Sequence, residues 1–157
     1  MHPGARHPAP LYGERLRPPV SLWVAGWVFV LLLAVSVEAA LGPVWGLIAL
    51  VVPGALLTWG LISSAAEIRV ADGALVAGRA RIPLEHLGPA QPLDAVESRA
   101  VRGPESDPAG YHLIRGWVPT GVKVAVTDPG DPTPYWFVAT RRPEALAAAI
   151  EAARPTG

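Results

Sequence analysis

The sequence predicts an α+β membrane protein: a transmembrane helical hairpin, followed by a small antiparallel β domain that ends in one α-helix. Three observations lead to this fold class. Residues 20–63 contain two long apolar runs with almost nothing between them, residues 64–140 contain short alternating segments separated by turn residues, and residues 143–153 form an alanine-rich segment with an apolar stripe. Strands followed by a helix that packs on them give an α+β domain.

The two apolar runs, Ser21–Leu41 and Val44–Ile62, lie next to each other in the chain. Each has about 20 residues, enough for a helix to cross the ~30 Å hydrocarbon core of a bilayer. Gly42 and Pro43 separate the runs and form a helix-breaking pair that leaves no room for a domain. We therefore predict a membrane-embedded hairpin of antiparallel helices whose two ends lie on the same side of the membrane.

Arginines flank the predicted hairpin but do not occur in its connection. They are Arg6, Arg15 and Arg17 before the first run and Arg69, Arg79 and Arg81 after the second. Because cytoplasmic flanks carry the excess of Lys and Arg, we predict a multi-pass protein of the cell (inner, cytoplasmic) membrane with both termini in the cytoplasm. Basic and aromatic side chains mark membrane interfaces, and the predicted anchors are Arg15, Arg17, Trp23, Trp45 and Trp59.

Three features of the hairpin allow two interpretations each. Glu38 is either a solvated carboxylate at the outer interface, which we favour, or an intramembrane ion site. Pro53-Gly54 is either a tolerated kink, again favoured, or a functional hinge. The first run could end at a signal-peptide cleavage site after Ala39, but about 20 apolar residues exceed the usual 7–15 of such a peptide.

Residues 1–19 contain five prolines and no apolar periodicity. This composition predicts an extended or disordered cytoplasmic tail. Within it, the segment Tyr12–Arg17 is the part that we expect to contact lipid headgroups.

Residues 64–157 are predicted to form one cytoplasmic, β-rich domain. Asp72-Gly73 is a strong hairpin-turn signal between alternating segments. The predicted strands are 67–71, 74–79, 81–87, 111–117, 122–127 and 135–140, and the segment Leu93–Val101 is either a helix or a bent strand. Pro143 and Glu144 begin a C-terminal helix over 143–153. This element order is similar to that of a pleckstrin-homology-like (PH-like) domain, in which one helix closes a bent sheet.

The composition excludes several kinds of chemistry. The chain has no cysteine, which excludes disulfides, thiolate nucleophiles and iron–sulfur clusters. The formal net charge is zero, so no basic surface for nucleic acid is expected. The four histidines do not follow a metal-binding spacing, and no phosphate-binding glycine motif occurs. We therefore predict no cofactor, no metal and no enzymatic activity.

The candidate site is the turn Asp128–Pro134 with the residues that follow it. Rigid prolines, two aromatic residues and an arginine pair at a helix start could form a recognition surface for an anionic headgroup or a phosphopeptide. The residues of this predicted surface are Asp131, Pro134, Tyr135, Trp136, Arg141 and Arg142. In the alternative interpretation the two aromatic side chains pack the sheet and the arginines are solvated.

Several segments are typical of one family. They are Tyr12–Leu16 (YGERL), the paired apolar runs, Val70–Pro83, and Trp117–Leu146, whose core DPxDPTPYWxVxTRRP covers 128–143. On these segments the chain resembles a family of short actinobacterial membrane proteins of unknown function, over nearly its whole length. The resemblance implies an integral membrane protein of two helices with a cytoplasmic domain, and it implies no activity and no catalytic residues.

From these observations we expect a membrane-tethered cytoplasmic interaction module. Its predicted partners are membrane lipids of the inner leaflet, or another membrane or cytoplasmic protein. The alternative is an accessory subunit of a transport or envelope-synthesis complex, in which the hairpin itself is the working surface. An enzyme that acts near the membrane is a third hypothesis, for which the sequence offers no nucleophile.

Overall fold

The computed structural model describes residues 11–154, and the chain divides into two compact units. One unit is the hairpin, Arg17–Ala65. The other combines the chain up to Leu16 with the chain from Ala66 onwards. The hairpin is therefore inserted into the α+β unit, whereas the sequence predicted that the α+β domain begins only after it.

The hairpin consists of helices α1 (Val20–Leu41) and α2 (Pro43–Ser63). Gly42 alone joins them with a φ of 95°, a backbone conformation that favours glycine, and Pro43 suits the first position of α2. The mean hydropathy is 2.4 for α1 and 1.9 for α2, and both helices are long and apolar enough to cross a membrane. The predicted pair of apolar helices is thus confirmed.

Glycines bring the two helices close together. A Cβ atom at Gly46 would lie 2.6 Å from the Cβ of Glu38, and one at Gly54 would lie 3.0 Å from the ring of Trp27. Any larger residue at Gly46 would push the helices apart. The helix α2 runs without interruption through Pro53.

The first four strands form sheet 1, an antiparallel meander. They are β1 (Tyr12–Leu16), β2 (Ala66–Ala71), β3 (Ala74–Ala77) and β4 (Ala80–Pro83), in the order β1-β2-β3-β4. The β2–β3 turn uses Asp72 and Gly73 with φ values of 51° and 67°, which confirms the predicted hairpin turn. Gly78, with a φ of 65°, lies in the β3–β4 turn rather than in a strand bulge.

The prediction of a disordered tail was wrong for β1. Tyr12 and Leu16 are buried on the inner face of sheet 1, but the residue between them on that face is Glu14. A carboxylate at this position interrupts the alternation of apolar residues by which a strand is recognised. Residues 1–10 of the predicted tail, including Arg6, lie outside the described residues.

The later strands form sheet 2. They are β5 (Leu87–Leu93), β6 (Tyr111–Leu113), β7 (Gly121–Val126) and β8 (Tyr135–Ala139), in the order β5-β7-β8-β6. The pair β6–β8 is parallel, so the sheet is mixed and the prediction of a wholly antiparallel sheet was wrong. The strand β6 is also shorter than predicted, because the chain turns at Val118, whose N–H donates to the Arg115 carbonyl.

Two helices complete the α+β unit. Helix α3 (Ala95–Arg102) begins with a capping box, in which Asp94 accepts from Glu97 N–H while the Glu97 carboxylate accepts from Asp94 N–H. Helix α4 (Pro143–Ala153) has the bounds that the sequence predicted.

Both sheets and α4 contribute to one hydrophobic core. Its fully buried side chains include Leu16, Ile68, Phe137, Leu146 and Ile150. Burying each such side chain contributes roughly 1.5–3 kcal/mol, so this shared core stabilises the whole α+β unit, including β1.

Candidate functional site

The turn Asp128–Pro134 is held by its own aspartates. Asp128 Oδ1 accepts from Gly130 N–H at 2.9 Å, and Asp131 Oδ1 accepts from Thr133 N–H at 2.9 Å. Asp131 N–H also donates to the Asp128 carbonyl at 3.2 Å. The two aspartates therefore each stabilise the backbone two residues further on, which is the usual turn-forming role of this side chain.

Hydrogen bonding also lowers the pKa of one aspartate in this turn. The backbone N–H and the hydroxyl of Thr133 stabilise the charged form of Asp131 and lower the pKa of its carboxyl group. The carboxylate is thus already engaged within the turn, although its surroundings are open to solvent.

The two aromatic residues of the predicted surface are buried. Tyr135 is 7% exposed and Trp136 is 6% exposed. The Trp136 ring lies 4.3 Å from the ring of Tyr111, between centroids, and the Tyr135 hydroxyl contacts Asp107 N–H at 3.0 Å and His112 Nε2 at 3.2 Å. These two side chains pack the sheet, as in the alternative interpretation, and do not present a surface for recognition.

The strand β8 separates the remaining residues of the predicted surface. Asp131 and Pro134 precede this strand, whereas Arg141 and Arg142 follow it. Five strand residues span roughly 17 Å at 3.3 Å per residue. Both arginines and Pro134 are exposed, but the structure does not bring the turn and the arginine pair together into one site.

The arginine pair belongs instead to a cluster formed by Tyr12, Glu14, Thr140 and Arg142, which we call the Glu14 cluster. The Tyr12 hydroxyl donates to Glu14 Oε2 at 2.7 Å and lies 2.9 Å from Thr140 Oγ1, and the Thr140 hydroxyl also donates to Glu14 Oε2. The backbone N–H of Arg141 donates to Glu14 Oε1 at 3.2 Å. One carboxylate thus collects donors from β1, from the end of β8 and from the start of α4.

The guanidinium group of Arg142 holds the neighbouring part of β1. Its Nη2 donates to the Gly13 carbonyl at 3.0 Å, and the group lies 5.1 Å from the centre of the Tyr12 ring. The backbone N–H of Arg142 donates to Thr140 Oγ1 at 3.1 Å. The side chain therefore binds a strand of its own chain and is not simply solvated.

Burial and charge explain why these groups meet. Thr140 is fully buried and Tyr12 is 6% exposed, so each hydroxyl needs a partner inside the protein. Burial is the main cause that raises the pKa of the Tyr12 hydroxyl. The Glu14 carboxylate, next to the first residues of α4, also complements the positive end of the helix dipole.

This geometry positions two elements rather than activating a nucleophile. The Thr140 hydroxyl is shielded from solvent, and it donates its proton to Glu14 Oε2 while it accepts from the Arg142 N–H. Within residues 11–154 no group of three or more His, Asp or Glu side chains could hold a metal ion. What the Glu14 cluster does chemically is to join β1, which leads directly into α1, to the start of α4.

The predicted membrane anchors lie at the two ends of the hairpin or just before it. Trp23 is in the first turn of α1 and Trp59 is near the end of α2, whereas Trp45 is in the first turn of α2 at the other end. Trp45 is 55% exposed and Trp59 is 71% exposed. Arg15 is an exposed residue of β1, and Arg17 is exposed immediately after that strand.

Sequence reasoning missed Tyr12, Glu14 and Thr140 as partners. The signal that could have found them is the family resemblance itself, because it rests on Tyr12–Leu16 and on the 128–143 core that ends in TRRP, among other segments. These segments lie about 125 residues apart in the chain, and the structure shows that their side chains bind each other.

Comparison with known proteins gives one match. The family described as protein of unknown function (DUF3093) matches residues 11–150, from just before β1 into α4. No curated protein and no solved structure matches the chain. The resemblance to a family of unknown function is confirmed, while the actinobacterial origin stays a prediction. The match spans both segments of the Glu14 cluster and the hairpin between them, and the chain belongs to the DUF3093 family.

Proposed function

We propose that this chain is a two-span protein of the cytoplasmic membrane whose α+β unit is a non-enzymatic interaction module in the cytoplasm. The observation that carries the proposal is the insertion of two apolar helices between paired strands. Leu16, at the end of β1, pairs with Ala66, at the start of β2. Because these two residues are neighbours, the first residue of α1 and the last residue of α2 must lie on the same side of any membrane that the helices cross.

The exposed surface of the helices supports a lipid environment. Large apolar side chains such as Phe29, Leu32, Leu47 and Leu56 are between 61% and 67% exposed. A contiguous apolar surface of this kind is unusual on a protein that water surrounds, and it is ordinary for a helix in lipid. Arginines occur on both flanks of the hairpin and not in its connection, which supports a cytoplasmic location for the α+β unit.

The PH-like assignment is part of this proposal. Helix α3 and strand β6 both lie in the connection between β5 and β7. Without this insertion, the unit consists of two antiparallel sheets followed by one closing helix, which is the element order of the PH-like prediction. We assign this domain a binding role because the Glu14 cluster joins elements of the fold and its Thr140 hydroxyl is fully buried.

The packing of the hairpin also favours the tether over the accessory-subunit alternative. Small residues in membrane helices often line contacts with other subunits. Here Gly26, Gly46 and Gly54 face Leu57, Glu38 and Trp27 of the same hairpin. These glycines are therefore already used within the chain, and the outer surface presents large apolar side chains to lipid.

Single-cysteine labelling tests the proposal, because the chain has no cysteine of its own. Leu41→Cys lies at the connection of the hairpin, and Ser106→Cys lies in an exposed loop of the α+β unit. A membrane-impermeant maleimide added to intact cells should label Leu41→Cys, and it should label Ser106→Cys only after permeabilisation. Labelling of Ser106→Cys in intact cells, or recovery of the chain in the soluble fraction, would refute the proposed topology.

A further inference from the structure

The outer face of sheet 1 has a composition that its fold does not require. We define this face by the exposed residues Arg15, Glu67, Arg69 and Arg81 and by the half-buried Val76 between them. The residues that alternate with them, including Leu16, Ile68, Val70, Leu75 and Ile82, are at most 5% exposed and point into the core. The outer face therefore carries three arginines and one glutamate on a scaffold that the core holds in place.

The register brings the basic residues together. Arg69 pairs with Val76, and Val76 pairs with Arg81, so the two arginines lie in one row across β2, β3 and β4. Neighbouring strands are about 4.8 Å apart, which puts the backbones of Arg69 and Arg81 roughly 10 Å apart. On the neighbouring row Arg15 faces Glu67 across the β1–β2 pair.

The face does not neutralise this charge itself. Within residues 11–154, Arg15, Arg69 and Arg81 form no ion pair with a carboxylate. In the same range, Arg69 and Arg81 have no carboxylate opposite them in the register, whereas Glu67 lies opposite Arg15. These two arginines are available to an anionic partner, and their guanidinium groups match phosphate oxygens in geometry as well as in charge.

The charge is also distributed unevenly along the sheet. The β3–β4 turn, which carries the exposed Arg79, lies beside the start of β2, because Gly78 N–H donates to the Glu67 carbonyl at 2.8 Å. This is the end of the sheet at which the chain enters α1 and leaves α2. The opposite end carries the β2–β3 turn with Asp72. Positive charge is therefore concentrated toward the end that the hairpin joins.

We propose that the outer face of sheet 1 binds the anionic phospholipid headgroups of the bilayer that holds the hairpin. The inference rests on the proposed function, because only a membrane-inserted hairpin tethers the α+β unit to a bilayer. Tethering makes the bilayer present at high effective concentration, so weak contacts suffice. Each arginine near an anionic surface strengthens binding about fivefold, and Glu67 opposes it.

The test uses the full-length chain in nanodiscs, with a nitroxide on Val76→Cys. Discs of phosphatidylcholine alone are compared with discs that contain phosphatidylglycerol, and both contain a trace of lipid with a Ni²⁺-chelating headgroup. In the anionic discs, we expect headgroup Ni²⁺ to relax the nitroxide at position 76 strongly. A nitroxide on Ser106→Cys, in the exposed loop between α3 and β6, is the control and should respond to soluble Ni²⁺ only. Raising the salt concentration should reverse the effect at position 76.

Matched variants assign the effect to the face. Arg81→Gln should lower about fivefold the equilibrium constant for docking, by which we mean the binding of the outer face of sheet 1 to the anionic lipid surface. Arg99→Gln removes the same charge from an exposed position on α3 and should leave docking unchanged. Glu67→Gln should strengthen docking, an opposite sign that a general loss of folding cannot produce.

Two outcomes would overturn the inference. If the nitroxide at position 76 responds only to soluble Ni²⁺ in both kinds of disc, the face does not bind anionic lipid. If the nitroxide at position 76 is shielded from soluble Ni²⁺ in native membranes but not in anionic discs, the face binds a protein instead of lipid. Neither result would contradict the proposed membrane topology, because the cysteine labelling at positions 41 and 106 tests that topology separately.

Discussion

The Asp128–Pro134 turn and the Glu14 cluster are both built from polar side chains in segments typical of the family, yet they satisfy these side chains in opposite ways. In the turn, each aspartate accepts from a backbone N–H two residues ahead. In the cluster, Glu14 accepts from groups 126 and 127 residues away. The aspartate side chains of the turn bind residues two positions further along the chain, whereas the cluster exists only when the whole α+β unit has folded.

This difference shows what a conspicuous sequence motif can and cannot indicate. Repeated Asp-Pro pairs attract attention because they are dense and local, and their function here is local as well. The single glutamate Glu14 in a short segment attracts no attention, although it connects β1 with the end of β8 and the start of α4. The comparison predicts that a variant which removes contacts between distant parts of the chain lowers the free energy of unfolding more than a variant which removes contacts within one turn, however conspicuous the sequence motif of that turn is.

Glu14→Ala should give the largest effect of the three variants that test this comparison. It removes the carboxylate that accepts from the buried hydroxyls of Tyr12 and Thr140 and leaves these hydroxyls with only each other as side-chain partners. We expect a loss of about 2–3 kcal/mol in the free energy of unfolding. Urea unfolding of the full chain in nanodiscs, followed by hydrogen exchange in β2 and β8, measures it. Glu67→Ala, on the exposed face of the neighbouring strand, is the control and should change stability little. Equal losses in both variants would contradict the structural role of the cluster.

Tyr12→Phe should have a smaller effect, about 0.5–1.5 kcal/mol, because Thr140 and Glu14 still bind each other. The effect should depend on pH. The pKa of Tyr12 is raised in the folded protein above its ordinary value of 10.0, so its stabilising contribution is complete below that pH and is lost as the pH rises through the folded-state pKa. The wild-type chain should therefore lose its advantage over Tyr12→Phe above about pH 10. A constant difference between pH 8 and pH 11.5 would argue against this burial of the hydroxyl.

Asp131→Ala should have the smallest effect on the α+β unit, because its hydrogen bonds stay within the turn. Its contribution should also depend on pH with the opposite sign. The pKa of Asp131 is lowered, so the stabilisation is present above the ordinary carboxyl pKa and is lost as the pH falls through the folded-state value. Proteolysis within 128–134 at pH 7 and pH 3 should differ for the wild-type chain and not for the variant. A loss of stability as large as that of Glu14→Ala would reverse the ranking.

The sequence predicted those elements whose signals are local. The apolar helices, the Asp72-Gly73 turn and the bounds of α4 follow from composition, backbone preference and periodicity within a few residues. The strand β1 was missed because Glu14 occupies a position on its inner face, and this position is acceptable only because Thr140 and Arg141 supply donors. The parallel pairing of β6 was missed because it depends on which strand edge remains free after β7 and β8 pair.

The candidate surface was predicted only in part, and for a similar reason. Exposure of Arg141 and Arg142 follows from their position before a helix, but their distance from the turn depends on β8 being extended. Tyr135 and Trp136 are aromatic residues that suit either a surface or a core. Only the packing of Tyr111 and His112 against them decides between the two.

The pairing of Leu16 with Ala66 also sets an order of events during synthesis. The ribosome releases β1 first, then the whole hairpin, and only then the strand with which β1 pairs. At about 5–20 residues per second, the roughly 50 residues between them take some 3–10 s. During that interval, β1 must remain without its partner while the two apolar helices are synthesised. Thr140 is made later still, so the contacts of Glu14 with the end of β8 can form only after the whole hairpin has been synthesised.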